Sequence, residues 1–222
     1  MVMRWLGALF ALFGMSAGAS HGDAAGTLVV ARINERVMPL DRGTFYDEPI
    51  QGALTRRGLG EVTGGGTALF ESGEIRFIDI EILLRDVDAG VPFVIGQLAA
   101  LGAPKGSRLM FPEGTGLEEI AFGEREGVAV YLDGVGLPAK VYATSDLNLV
   151  VAAFEQALGA KGEHRGDWQG PRETALYFYG RDAEEMKRLM RLVLHATPLC
   201  QGARVVTIAP VQERAGQPQD SR

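Results

Sequence analysis

Two acidic residues in a strongly apolar segment are the first candidates for chemistry. Asp79 and Glu81 alternate with isoleucines in the run Ile75–Leu84. Successive side chains of a β-strand point to opposite faces, so the alternation predicts that both carboxylates share one face. Two carboxylates at this spacing can act as a general acid and base or bind a hard cation. The alternative is that this second face of the sheet is simply solvated.

Three consecutive glycines, Gly64–Gly66, lie inside a second predicted strand. Glycine weakens a strand interior, so a specific reason for the run is expected. One possibility is a bulge or loop whose N–H groups receive an anion or ligand. The other is a tight bend, or close approach of a neighbouring element. The candidate ligand contacts in this segment are Glu61, Thr63, Gly65 and Thr67.

Charged and aromatic side chains mix in the predicted loop 41–48, between the first strand and the first helix. Arg42 and Tyr46 belong to residue types that make good recognition contacts. Loops held on a rigid sheet often carry function, so both are candidate ligand-binding residues. The alternative is a solvated helix entry.

A histidine in the second half offers a possible acid/base group. His164 could be oriented by Asp167 or Glu173, Trp168 could stack on a ligand, and Arg172 is a further candidate contact. The alternative is a surface histidine on a hairpin, with the tryptophan capping the core. The sequence contains no zinc-ligand spacing, nucleophile elbow or cysteine–histidine pair. We therefore expect no metal and no cofactor, and the balance is against an enzyme.

The chain contains two copies of one pattern, which can be recognised before any fold is assumed. The matching segments, in the same order in both halves, are Val29–Ile33 with Val128–Leu132, Gly60-Glu61 with Gly162-Glu163, and Arg85-Asp86 with Arg181-Asp182. Hydrophobic periodicity gives each half the order β-α-β-β-α-β. This order predicts an α+β protein of two tandem ferredoxin-like units, each an antiparallel sheet with helices on one face. We expect the bare sheet faces to pack together or the sheets to join edge to edge.

The predicted organisation follows from these patterns and from the composition of the two ends. It comprises a signal peptide (1–19), a leader (20–26), a first unit (27–111), a linker (112–127), a second unit (128–210) and a disordered tail (211–222). The signal prediction rests on Arg4, the apolar run after it, and the small residues Ala17-Gly18-Ala19. The run is too short to span a bilayer, so no stable membrane anchor is expected after cleavage. A periplasmic or secreted location follows; the alternative is a cytosolic protein with a mis-assigned start.

Composition narrows the function classes. The 222 residues carry 22 Lys and Arg against 28 Asp and Glu, a net charge of −6, which argues against nucleic-acid binding. The single cysteine, Cys200, permits no intrachain disulfide. We expect a binding or regulatory protein whose paired halves form a surface or cleft for a protein or small ligand. The alternatives are a small hydrolase or isomerase using Asp79 and Glu81 between the halves, and a cytosolic regulator.

Overall fold

A computed structural model describes residues 26–210 as two antiparallel sheets with helices packed on them. The strands in this range are β1 Thr27–Ile33, β2 Gly60–Leu69, β3 Ile75–Leu84, β4 Ser107–Met110, β5 Ile120–Phe122, β6 Glu126–Asp133, β7 Gly162–Gln169, β8 Glu173–Gly180 and β9 Arg204–Ala209. The α-helices are α1 Pro39–Arg42, α2 Glu48–Arg57, α3 Val87–Ala100, α4 Ala139–Thr144, α5 Leu147–Leu158 and α6 Ala183–Ala196.

The two sheets share one order of four strands, and the first sheet has a fifth strand at its edge. The first is β2-β3-β1-β4-β5 and the second is β7-β8-β6-β9, with antiparallel pairing throughout both sheets. Removing β5 leaves two identical βαββαβ topologies, the arrangement of a ferredoxin-like unit. The predicted α+β class with two antiparallel sheets and packed helices is therefore confirmed.

Sequence periodicity explains why these elements form. In β3, Ile78, Ile80 and Ile82 are fully buried against the helices, while the residues between them face away from the core. The last helix of each unit begins with an aspartate cap: Asp86 accepts the N–H of Ala89, and Asp182 accepts that of Glu185. The two caps belong to the repeated Arg-Asp pair.

The structure differs from the sequence expectations in two places. Segment 41–48, predicted as a loop, is helical: α1 continues through a π-helical turn, Gly43–Asp47, directly into α2. The predicted linker 112–127 contains β5, which pairs with β4, and its end belongs to β6. In both places a polar composition predicted irregular structure, whereas Tyr46 is buried in the core and β5 pairs with β4. The predicted signal peptide, most of the leader and the tail lie outside the described residues.

The first unit covers one face of the second sheet. That face is a buried cluster of Ala129, Tyr131, Ala175, Tyr177, Tyr179, Ile208 and Ala209. The segment after β1 crosses it closely, because a Cβ on Gly166 would lie 3.1 Å from the carbonyl oxygen of Arg36. The Arg36 N–H also donates to the Tyr179 hydroxyl at 3.0 Å. The second sheet thus buries its bare face against a loop of the first unit. Within residues 26–210, no helix is both long and apolar enough to cross a membrane.

Candidate functional site

A fully buried carboxylate joins the two units. Glu35, just after β1, accepts hydrogen bonds from Arg165 of β7, with 2.8 Å between Arg165 Nε and Glu35 Oε1. The Tyr46 hydroxyl donates to the other Glu35 oxygen. The Arg165 guanidinium also lies over the Phe45 ring, 3.8 Å from its centroid. This side of the junction is a desolvated ion pair stacked on an aromatic ring.

Local irregularities bring these side chains together. Arg165 is the extra residue of a β-bulge, because the β7–β8 register shifts between His164 and Gly166. The π-helical turn Gly43–Asp47 places Tyr46 in the interior, with no exposed surface. The first unit has a bulge at the corresponding position of β2, where Thr63 is the extra residue.

A second buried carboxylate lies beside the first. Glu74, at the turn between β2 and β3, accepts the hydroxyls of Tyr131 and Tyr177, each at 2.8 Å, and pairs with Arg36. Arg36 also donates to the Tyr131 hydroxyl at 2.7 Å. We call the eight residues of both carboxylate sites the junction cluster: Glu35, Arg36, Tyr46, Glu74, Tyr131, Arg165, Tyr177 and Tyr179.

Three hydrogen-bond donors of the junction cluster, Tyr46, Arg165 and Tyr177, have raised pKa values. Burial, together with the negative charge of Glu35, raises the pKa of Tyr46 well above its ordinary value. Burial and the bond to Glu74 raise the pKa of Tyr177 in the same way. Burial alone would lower the pKa of Arg165, but the charge and hydrogen bonds of Glu35 raise it overall. These groups are fixed donors at neutral pH, so the cluster is suited to holding the units together rather than to exchanging protons.

An open cavity of about 480 Å³ lies next to this junction. We call it the junction cleft; its lining residues are Arg125, Gly159, Ala160, Lys161, Gly162, Glu163, Tyr179, Gly180, Arg181, Asp182 and Glu185. The cleft lies at the end of the β7–β8 ladder, where Gly162 pairs with Gly180. Its volume is within the range of small-molecule sites.

The acidic residues of the junction cleft already have partners. Glu163 pairs with Arg125, and Glu185 is held by two 2.8 Å hydrogen bonds from Arg188. Asp182 accepts the N–H of Glu185 as the cap of α6. Among the described residues, Lys161 and Arg181 make no ion pair. The cleft thus offers two cations that make no ion pair with another described residue, beside the acidic side chains of Glu163, Asp182 and Glu185.

One residue connects the cleft to the junction cluster. Glu163 lies on the wall of the cleft, pairs with Arg125 and is 3.6 Å from Arg165 Nη1. Arg165 in turn holds Glu35. A chain of alternating charges thus runs from the open cleft to the buried Glu35. A smaller cavity of about 230 Å³, lined by Asp133 and Tyr142 among others, lies elsewhere in the second unit.

The predicted carboxylate pair lies away from both cavities. Asp79 is bound by its cross-strand neighbour Arg32 through two 2.9 Å hydrogen bonds, and Glu81 is exposed. Neither residue lines the junction cleft or the smaller cavity. The Asp79 carboxylate is occupied as an ion-pair partner within one sheet face, and its role in acid/base chemistry stays a prediction.

The triple glycine accommodates an arginine. Arg42 donates to the carbonyl oxygens of Gly66 and Asp79, at 3.2 and 3.4 Å, and to the Asp47 carboxylate at 3.0 Å. A Cβ on Gly65 would collide with the Asp79 carbonyl and lie 2.9 Å from Arg42 Nη1. The missing side chain thus makes room for close approach, which is one of the two explanations offered for these glycines.

The remaining candidates in β2 are Glu61, Thr63 and Thr67, which lie on either side of Gly65 in the strand. Thr63 donates to the carbonyl of Glu81 at 3.4 Å, and Glu61 is exposed. Thr67 pairs with Ile78 of β3. None of the three lines the junction cleft.

The second-unit candidates separate from one another. His164 packs on Phe178, with 5.3 Å between ring centroids; its Nε2 is buried without a partner, and burial lowers its pKa. Trp168 packs against the opposite face of the sheet, and Arg172 is exposed. Glu173 binds Arg204 at 2.9 Å. The structure therefore brings Tyr46 to the junction, but it does not gather the predicted candidates into one site.

Most of the residues that the fold brings together at the junction were not predicted from the sequence. Glu35 and Arg165 are 130 positions apart, and Arg125 lies in the segment interpreted as a linker. The only signal was the alternation of Tyr177 and Tyr179 with core residues in β8. Residues 26–210 contain no group of three or more His, Cys, Asp or Glu side chains suited to a metal ion.

Comparisons with known proteins give only distant likenesses. No family model and no curated protein matches the chain. An unknown protein from Galdieria sulphuraria is similar at 13% identity, over 84% of this chain and 99% of that one, with a TM-score of 0.25. The ligand-free regulatory subunit of aspartate kinase from Thermus thermophilus is similar at 18% identity, over 78% and 94%, with a TM-score of 0.26.

A third similar structure is a mutant chlorite dismutase from Candidatus Nitrospira defluvii. It is 12% identical, over 82% of this chain and 91% of that one, with a TM-score of 0.27. Likenesses this distant carry no argument about activity.

Proposed function

We propose that the protein is a non-enzymatic binding or regulatory protein that holds a small ligand in the junction cleft. One observation carries the proposal: an open cavity of about 480 Å³ is lined by two cations, Lys161 and Arg181, that make no ion pair with another described residue. Unpaired charges in a concave site are typical of groups that fix a ligand's orientation.

The titratable groups near the junction favour binding over catalysis. A general base needs a pKa near the working pH and access to the substrate. Burial raises the pKa values of the junction tyrosines above their ordinary value, and the imidazole of His164 lies against Phe178 in the core. The rigid cluster supports a different role, which is to keep the cleft pre-formed.

We also propose that the two units arose by internal duplication and that the protein is exported. The duplication is supported by the shared strand order and by matching bulges at Thr63 and Arg165. Export is supported by the N-terminal sequence pattern alone. N-terminal sequencing of the protein from its native host tests it: a first residue of Ser20 is expected, and a retained Met1 would overturn it.

A ligand screen tests binding in the cleft. Thermal shifts would be measured for a panel of anionic, neutral and cationic small molecules against the wild type and a Lys161→Gln/Arg181→Gln variant. The matched control is Arg56→Gln/Arg85→Gln, which removes two exposed cations from the first unit. We expect at least one compound to stabilise the wild type and the control but not the cleft variant. If every stabilising compound acts equally on all three proteins, the cleft is not the binding site.

A further inference from the structure

We propose that the ligand of the junction cleft is a small oxyanion, a carboxylate or a phosphate, held between Lys161 and Arg181. This inference rests on the proposed function and specifies its ligand. It is carried by the position of the two cations at the end of the β7–β8 ladder and by the state of the surrounding acids.

The two cations are adjacent at the end of a ladder. Gly162 of β7 and Gly180 of β8 form a cross-strand pair, Lys161 directly precedes that pair, and Arg181 directly follows it. Like charges opposite one another at a strand pair are destabilising. Because neither cation makes an ion pair with another described residue, an anion between them would reduce their mutual repulsion.

The neighbouring acids do not supply that anion. Glu185, the acid whose pKa Lys161 helps to lower, is already held by Nε and Nη2 of Arg188. Asp182 is committed as the cap of α6, and Glu163 is paired with Arg125.

The N-terminus of α6 is not itself the site. Its first N–H groups are taken by protein carboxylates, since Glu126 accepts from Ala183 and Asp182 accepts from Glu185. Recognition therefore falls on the side chains of Lys161 and Arg181. An arginine presents paired donors that match an oxyanion, and a lysine adds a compact positive charge.

Glu163 gives the inference a second, independent consequence. Its carboxylate is 49% exposed at the wall of the cleft, so it repels an incoming anion even while it is paired. Removing that charge should strengthen anion binding, as well as leaving Arg125 available to the ligand. A gain of affinity cannot result from misfolding, so Glu163→Gln complements the loss expected from the cation variants.

Calorimetric titration tests the inference with named probes: inorganic phosphate, succinate, glycerol and putrescine. We expect saturable binding of phosphate or succinate that weakens about tenfold or more in Lys161→Gln/Arg181→Gln. Affinity should be unchanged in Arg56→Gln/Arg85→Gln, higher in Glu163→Gln, and lower at high ionic strength.

The outcomes separate this inference from the proposed function. Cleft-dependent binding of glycerol or putrescine, without phosphate or succinate, would overturn the oxyanion assignment and keep the cleft as a binding site. Anion binding with the same affinity in the wild type, in Lys161→Gln/Arg181→Gln and in Glu163→Gln would also overturn it. If none of the four probes binds and the broader screen finds no cleft ligand, the proposed function itself is wrong.

Discussion

The most consequential single residue is Glu35, a fully buried carboxylate whose partners come from both units. Glu35→Gln leaves the buried Arg165 with only its longer, 3.6 Å contact to Glu163, and breaking a buried pair in this way costs about 3–5 kcal/mol of unfolding free energy. The matched control is Glu119→Gln, which breaks the exposed pair with Arg108 and should cost less than about 1 kcal/mol. Urea denaturation of both variants measures the difference, and equal losses would contradict the role assigned to Glu35.

The burial of His164 leads to a separate prediction about how stability depends on pH. Burial lowers its pKa in the folded state, so the unfolded chain takes up a proton first as pH falls. Stability from this residue is therefore complete above the unfolded pKa of about 6.5 and declines below it. In His164→Leu, the free energy of unfolding should fall less between pH 7 and pH 5 than in the wild type. Parallel pH profiles for the two proteins would show that His164 is not buried as a neutral group.

At the scale of elements, β2 tests whether its glycines serve packing. Gly65→Ala would force a Cβ against the Asp79 carbonyl and the Arg42 guanidinium, so we expect lower thermal stability. Gly66→Ala meets nothing within 4 Å and is the matched control, with a neutral or slightly positive effect. Thermal melts give the melting temperatures of the two variants and so test the packing explanation. A tolerated Gly65→Ala would mean that close approach of Arg42 does not explain the run.

Elements were the part of the structure that the sequence could predict. The alternation in β3 and the aspartates before α3 and α6 are local signals, so strand faces and helix starts follow from a few neighbouring residues. Beyond the alternation of Tyr177 and Tyr179 in β8, the junction has no local signal. Arg165 is the extra residue of a bulge in β7 and Tyr46 lies in a π-helical turn, and both side chains bind Glu35. Such irregularities depend on the packed units, and they determined which candidates came together.

The whole described fold should unfold as one body. The junction cluster connects both sheets through buried hydrogen bonds, so neither unit can open without exposing Glu35 or Glu74. In a Trp5→Phe background, Trp168 fluorescence reports the second unit, and far-UV circular dichroism reports both. We expect coincident urea transitions by the two probes. Separate transitions would mean that the cluster does not couple the units.

The most direct test of the central claim is an amide ¹H–¹⁵N titration of the full chain with inorganic phosphate. If the junction cleft holds an oxyanion, saturable shifts should concentrate at Lys161, Gly162, Gly180 and Arg181, and they should disappear in Lys161→Gln/Arg181→Gln. Saturable shifts centred instead on Gly64–Gly66, or on the sheet face of Asp79 and Glu81, would contradict the account and move the site to the first unit.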